Sequence, residues 1–298
     1  MASEELQAAI ELMRSQKGPA AEGISLVDMR ANMEEMQGQA AIASDVTVEV
    51  LTVNGIGAEW IKVPESSDRV VLYYHGGGYV MGSLNTHREL CSRIARSCRA
   101  SVLNVDYRLA PEHPYPAAVE DGVSSYQWLL DQDTDPATIL IGGDSAGGGL
   151  TMATLLKLKQ GDSPLPAGAL LLSPWTDLAA TGESLVSRAD LDPMVDKQGI
   201  ERIAKAYYGE EDCRQPLISP LYGDLTGLPP LLIQVGGAEV LYDDSTRLAQ
   251  RAEKAGVSVD LQEWPEAFHV FQAVPILPEA AEALQKMARF ADSVCKGG

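Results

Sequence analysis

From residue 69 onward, short unbroken apolar runs alternate with longer stretches of helical period. VVLYYH precedes a helical stretch near 85–98, SVLNVD one near 116–131, and TILIGG one beginning at 146. AGALLLS and LLIQVG come next, then a helical stretch near 243–255, the run SVDLQEW and a closing helix over 278–294. Strands covered on both faces read as continuous apolar runs because neither face is left to water. The alternation therefore predicts an α/β fold: a mostly parallel sheet with helices on both sides. Ahead of it, VTVEVLTV and AEWIKV flank Asn54-Gly55. That dipeptide tolerates the left-handed backbone of a two-residue hairpin, so the sheet is expected to begin antiparallel. In the first 40 residues Leu6, Ile10 and Met13 recur at helical spacing, as do Met29, Met33 and Met36, which predicts two helices.

One stretch breaks the rhythm. Residues 176–228 separate two strands and include LDPMVDKQGIERIAKAYYG, too long for a plain crossover. The expected organisation is an N-terminal helical part of a cap over 1–44, an α/β body over 45–175 and 216–298, and a cap insertion over 176–215.

Composition narrows the partners. Of 298 residues 45% are hydrophobic, enough for a large core, and the formal net charge of −19 repels nucleic acid and anionic lipid surfaces. The N-terminus is acidic, without the basic start and apolar stretch of a secretory leader, and no run approaches the roughly 18 apolar residues of a membrane span. A cytoplasmic protein without a membrane span is expected. Cys91 and Cys98 are seven residues apart in one predicted helix, roughly 10 Å at the helical rise and beyond disulfide reach. Together with Cys213 and Cys295 they are expected as free thiols, with no CxxC pair to suggest zinc.

Three features carry chemistry. Gly143-Asp144-Ser145-Ala146-Gly147 sits between the run TILIG and a helical run, a setting in which a sharp strand-to-helix turn lifts a serine hydroxyl clear of the sheet. A phosphate cradle would want Lys-Ser or Lys-Thr after the glycines, and Gly147-Gly148-Gly149-Leu150 has neither. His75-Gly76-Gly77-Gly78 ends an earlier strand, where fixed backbone N–H donors can stabilise an oxyanion. The expected donors are the N–H groups of Gly77, Gly78 and Ala146, with Gly76 shaping the loop and His75 anchoring it. His269 is the only histidine after Ser145; His87 and His113 are read as structural. Where a nucleophilic serine stands on such a turn, the acid and then the histidine follow it along the chain. Glu239 lies three residues past the strand LLIQVG, ahead of Asp243 and Asp244; Glu239 is the favoured acid and Asp243 the alternative. Glu263 and Glu266, close to His269 in sequence, are expected to be solvated.

HGGGYVMGS, DYRLAPEHPYPAAVED, GGDSAGGGL, SPLYGDLTGLPPLLIQVG and the Phe-His near the C-terminus give the chain, from about residue 45 onward, a resemblance to the bacterial hormone-sensitive-lipase-like esterases of the GDSAG branch. The resemblance implies the α/β-hydrolase fold with an eight-stranded sheet, a helical cap, and a serine carboxylesterase that hydrolyses short- to medium-acyl esters through an acyl-enzyme. It also implies dimerisation through a sheet edge as a frequent arrangement, and the expected reaction requires no cofactor or metal. The acid position departs from the usual Asp-x-Leu, being Glu239-Val240-Leu241. DYRLAPE is read as non-catalytic, with Asp106, Arg108 and Glu112 expected to brace the oxyanion loop from beneath. The alternatives are an amidase or deacetylase, an interfacial lipase, and a non-catalytic receptor on the same scaffold.

Overall fold

The computed structural model describes residues 2–16 and 25–295; residues 17–24 of the expected N-terminal cap segment lie outside them. Eight strands form one sheet: β1 (Thr47–Val53), β2 (Ile56–Lys62), β3 (Val70–Tyr74), β4 (Ser101–Asp106), β5 (Ile139–Asp144), β6 (Gly168–Leu172), β7 (Leu231–Gly236) and β8 (Val259–Trp264), in the order β1-β2-β4-β3-β5-β6-β7-β8. β1 and β2 pair antiparallel through Val53↔Ile56, with Asn54 and Gly55 at φ 50° and 89°. β2 is also antiparallel to β4, and every pair from β4 to β8 is parallel. The expected alternation of strands and helices is the observed one.

Successive strand residues serve opposite faces, which is why both must be apolar. Val71, Tyr73, Val102, Leu140 and Leu232 pack under α3 (Leu84–Cys98) and α9 (Pro278–Val294). Leu72, Tyr74, Leu103, Ile141 and Ile233 pack on the other side, under α4 (Ala117–Asp131), α5 (Ala146–Gln160) and α8 (Tyr242–Lys254). Ser83 caps α3 by accepting from Thr86 N–H, which fixes where the chain leaves the loop after β3. The four cysteines are unpaired. Among the described residues no helix is long and apolar enough to cross a membrane.

The N-terminal helices are α1 (Glu4–Gln16) and α2 (Leu26–Gln37). Leu6 is buried among Trp264, Phe268 and Phe271, with Ile10 and Met13 packed alongside, as their spacing predicts. The methionine stripe of α2 is different: Met36 is exposed and no residue of that helix is fully buried. Polar contacts hold α2 instead. Arg30 donates to the carbonyls of Val80 and Ala110 at 2.6 and 2.9 Å and pairs with Glu112 at 2.7 Å. The expected brace from Asp106, Arg108 and Glu112 is therefore not one unit. Arg108 binds Asp121 and Glu120 of α4, Glu112 faces Arg30, and Tyr107 is the residue that reaches the loop after β3.

The excursion between β6 and β7 contains α6 (Ser184–Ser187) and α7 (Lys197–Tyr208) and no strand. Ile200, Ala204 and Tyr207 form the buried face of α7, and the Tyr207 ring stacks on Tyr79 at 3.9 Å. At the root of the excursion, Asp244 accepts the N–H groups of Thr176 and Asp177 at 2.7 Å each, while Asp177 pairs with Arg247 at 2.9 Å. Burial and the neighbouring Asp177 charge push the Asp244 carboxyl up to about 8. The folded state thus prefers the protonated acid, and the stability this contributes is full below pH 4 and lost as pH rises through 8. Asp244→Asn keeps an acceptor and cannot ionise. Its melting temperature should gain on the wild type between pH 5 and pH 8 and the gain should level off above; a difference constant with pH would exclude this account.

Candidate active site

β5 ends at Asp144 and α5 starts at Ala146, so Ser145 alone makes the turn, at φ 52° and ψ −118°. A non-glycine residue there costs on the order of 1–3 kcal/mol. The turn survives because the backbone on both sides is fixed: Ser145 N–H donates to Leu172 O at 2.8 Å, and Ser145 O accepts from Gly149 and Trp175 N–H. Gly143 and Gly147 are required by crowding, since a Cβ on Gly147 would collide with Tyr74 O and one on Gly143 with the Gly147 backbone.

Ser145 Oγ lies 2.9 Å from His269 Nε2, and His269 Nδ1 is hydrogen-bonded to Glu239 Oε2. Glu239 is fully buried, and its second oxygen accepts from Ser173 Oγ–H at 2.9 Å and Gly236 N–H at 2.8 Å. Ser173 Oγ in turn accepts Val270 N–H at 3.1 Å, tying the loop after β6 to the loop that carries His269. The structure thus brings Ser145, Glu239 and His269 together. Asp243 points elsewhere, accepting Ser184 N–H at 2.9 Å; Glu263 contacts the Tyr242 hydroxyl, and Glu266 is exposed. Burial opposes charge on the His269 ring, but Glu239, with help from Asp192 and Asp144, outweighs it and holds its pKa above the ordinary 6.5.

Gly77 and Gly78 follow β3 at φ 112° and 66°, conformations that L side chains rarely adopt. Ala146 N–H is the first of α5 and has no intrahelical acceptor, so it is free to face a ligand atom. Behind this loop, the Asp144 carboxylate accepts Gly76 N–H at 3.1 Å and the Tyr73 hydroxyl at 2.8 Å, and lies 3.3 Å from His87 Nε2. Burial disfavours the charge on Asp144, but His87 and Tyr73 outweigh it and hold the carboxyl below its ordinary range. His75 stacks on Tyr107 at 4.3 Å, and its Nδ1–H donates to Gly76 O at 2.8 Å. Burial, reinforced by nearby His87, lowers His75 to about 3, which keeps it neutral. His75 and His87 are thus packed into the back of the loop, and His113 is on the surface.

Asp144, Tyr107 and Ser173, none of them an expected site residue, support this arrangement from behind. Asp144 alone had a local signal, its place beside Ser145 in the turn motif.

The arrangement is a serine hydroxyl, an imidazole and a buried carboxylate joined by hydrogen bonds, beside a glycine loop and a helix N-terminus, a set chemically able to carry out acyl transfer. The alpha/beta hydrolase fold family matches residues 71–273. An acetyl-hydrolase of Streptomyces hygroscopicus is 46% identical over 81% of each chain. Among solved structures, an esterase from the bacterial hormone-sensitive lipase family is 47% identical, with a TM-score of 0.94 over 99% of both chains. The esterase EstE5, soaked with p-nitrophenyl butyrate, is 44% identical, with a TM-score of 0.95 over 98% of this chain and 99% of that one.

Proposed function

This chain belongs to the alpha/beta hydrolase fold family and is a carboxylic-ester hydrolase of the hormone-sensitive-lipase type; from that premise we propose that Ser145, His269 and Glu239 carry its reaction. The observation that carries the proposal is the continuous hydrogen-bonded line from Ser145 Oγ through both nitrogens of His269 to Glu239.

His269 Nε2 takes the hydroxyl proton as Ser145 Oγ attacks the ester carbonyl. Glu239 keeps Nδ1 protonated, so that Nε2 is the free base, and offsets the charge of the imidazolium that results. The oxyanion forms against the N–H groups of Gly77, Gly78 and Ala146, at the positive end of α5. Collapse expels the alcohol with the proton from His269. Water then attacks the acyl-enzyme by the same route and releases the acid with Ser145 restored.

Of the described residues, 2–16, 25–44 and 176–215 serve as the cap over this site, a division supported by the Tyr207–Tyr79 stack, the Arg30 tie and a contact from Arg14 to Leu191 O. A short acyl chain is supported by the butyrate ester used with the related EstE5. β1 and β8 end the sheet, and an edge strand of this kind supports a homodimer through a sheet edge. Four unpaired thiols support a reducing, cytoplasmic setting.

The pH profile tests the base. His269 must be neutral to take the proton, and its carboxylate neighbours raise its pKa, so kcat/KM for p-nitrophenyl butyrate should fall on the acid side with a midpoint above 6.5. Activity that stays flat down to pH 5 would exclude His269 as the base.

A further inference from the structure

We propose that Asp192, in the segment between β6 and β7, is a positioning residue for the acid of the triad; this rests on the assignment of Glu239 above. Asp192 is 2% exposed. One carboxylate oxygen accepts the N–H groups of Met194 and Val195 at 2.8 and 2.9 Å, which ties its own loop into a fixed turn. The other accepts Val240 N–H at 2.9 Å, and Val240 is the residue directly after Glu239.

The same segment holds this loop at further points. Ser184 Oγ donates to Val240 O at 2.6 Å and accepts Asp243 N–H at 3.0 Å, and the Asp243 carboxylate accepts Ser184 N–H. The Arg188 guanidinium binds Gly237 O and lies 3.7 Å from the centre of the Tyr242 ring. On the other side of Glu239, Ala238 N–H donates to Ala267 O at 2.9 Å, two residues before His269. Glu239 is therefore strung between the histidine loop and the excursion, with both peptide groups of Val240 owned by the excursion. A glutamate has one more rotatable bond than an aspartate and needs more of its surroundings to fix its carboxylate. Asp192 supplies the fixed anchor on the C-terminal side of it, as Ala267 O does on the N-terminal side.

The Asp192 charge has a second effect. The carboxylates facing His269 are Glu239 from the loop after β7, Asp144 from the end of β5 and Asp192 from the excursion, and all three favour the imidazolium. Making Asp192 neutral should let the ring lose its proton at lower pH.

The test compares Asp192→Ala, Asp192→Asn and Glu239→Gln in the full chain, on p-nitrophenyl butyrate across pH 5 to 9. Asp192→Ala strands the Val240 N–H and should lower kcat about 10- to 100-fold at unchanged KM, the scale of a small misplacement of a reacting group. Asp192→Asn keeps one acceptor and, with that oxygen toward Val240 N–H and its amide nitrogen toward Met194 and Val195, should recover part of that loss, with the acid limb of kcat/KM moved to lower pH. An Asp192→Ala kcat equal to wild type, or an Asp192→Asn no better than Asp192→Ala, would overturn the proposal. Should Asp192→Ala not fold, Asp192→Ser takes its place: its shorter side chain cannot hold Val195 N–H and Val240 N–H together, so a kcat lowered at unchanged KM supports the anchor and a kcat equal to wild type overturns it. Glu239→Gln separates the two readings. Its inactivity beside an indifferent Asp192 would sink only this inference, whereas near-normal turnover in Glu239→Gln would sink the triad assignment.

Discussion

Ser145→Ala should lower turnover of a short-chain chromogenic ester by about 10⁶ while leaving the protein folded. The size follows from the mechanism. Without Oγ no acyl-enzyme forms, and what remains is water attacking a carbonyl held against the N–H groups of Gly77, Gly78 and Ala146; such a remnant is worth roughly 10³–10⁴ over the uncatalysed rate. The fold should survive because every bond that shapes the turn is made by backbone: Ser145 N–H to Leu172 O, and Ser145 O from Gly149 and Trp175 N–H. Alanine at φ 52° bears the same strain as serine, so its melting temperature should stay close to wild type. Melting curves and rates measured on the same preparations check both halves. Turnover within tenfold of wild type would remove Ser145 as the nucleophile.

The parts of this molecule that could be read from sequence are those in which neighbours along the chain decide the outcome. β5, the turn at Ser145 and α5 are contiguous, and the hairpin needs only Asn54-Gly55. Strand runs are legible because burial on both faces leaves no polar alternation to misread. The choice of Glu239 over Asp243 is different. Both lie just after β7, and what separates them is Ser184, far back in the chain, which engages Asp243, while Gly236 and Ser173 engage Glu239. Ser173 and Glu239 are 66 residues apart, and Asp192 and Val240 are 48 apart, so no local pattern announces either contact. The α2 stripe shows the same limit: methionines at helical spacing announce the helix, but not its ties to the body, which are Arg30 to Val80 O, Ala110 O and Glu112, and Glu34 to the Ser83 hydroxyl. The brace read into DYRLAPE was right in placing structural residues there. It chose the charged ones, whereas the Tyr107 hydroxyl reaches His75 O at 2.8 Å and its ring stacks on the imidazole.

The acid presents the other large expected effect. Glu239→Gln should cut kcat by roughly 10³–10⁴, while Asp243→Asn should stay within about fivefold of wild type. Glutamine is nearly isosteric, and its oxygen can still accept from Ser173 and Gly236. The remaining amide nitrogen then faces His269 Nδ1 as a donor and forces the ring to hold its proton on Nε2. In that tautomer Nε2 cannot take the Ser145 proton, so the loss reflects a wrong tautomer as well as a lost charge. Asp243 has its carboxylate on Ser184 N–H, and an asparagine oxygen can make the same bond, so its replacement leaves the His269 tautomer untouched. The two losses of Glu239→Gln should part under titration. With the carboxylate gone, the protonated ring loses its main stabilising neighbour, and the acid limb of the residual activity should move to lower pH. A large deficit in Asp243→Asn together with a mild one in Glu239→Gln would transfer the acid role to Asp243 and require the loop after β7 to rearrange before catalysis.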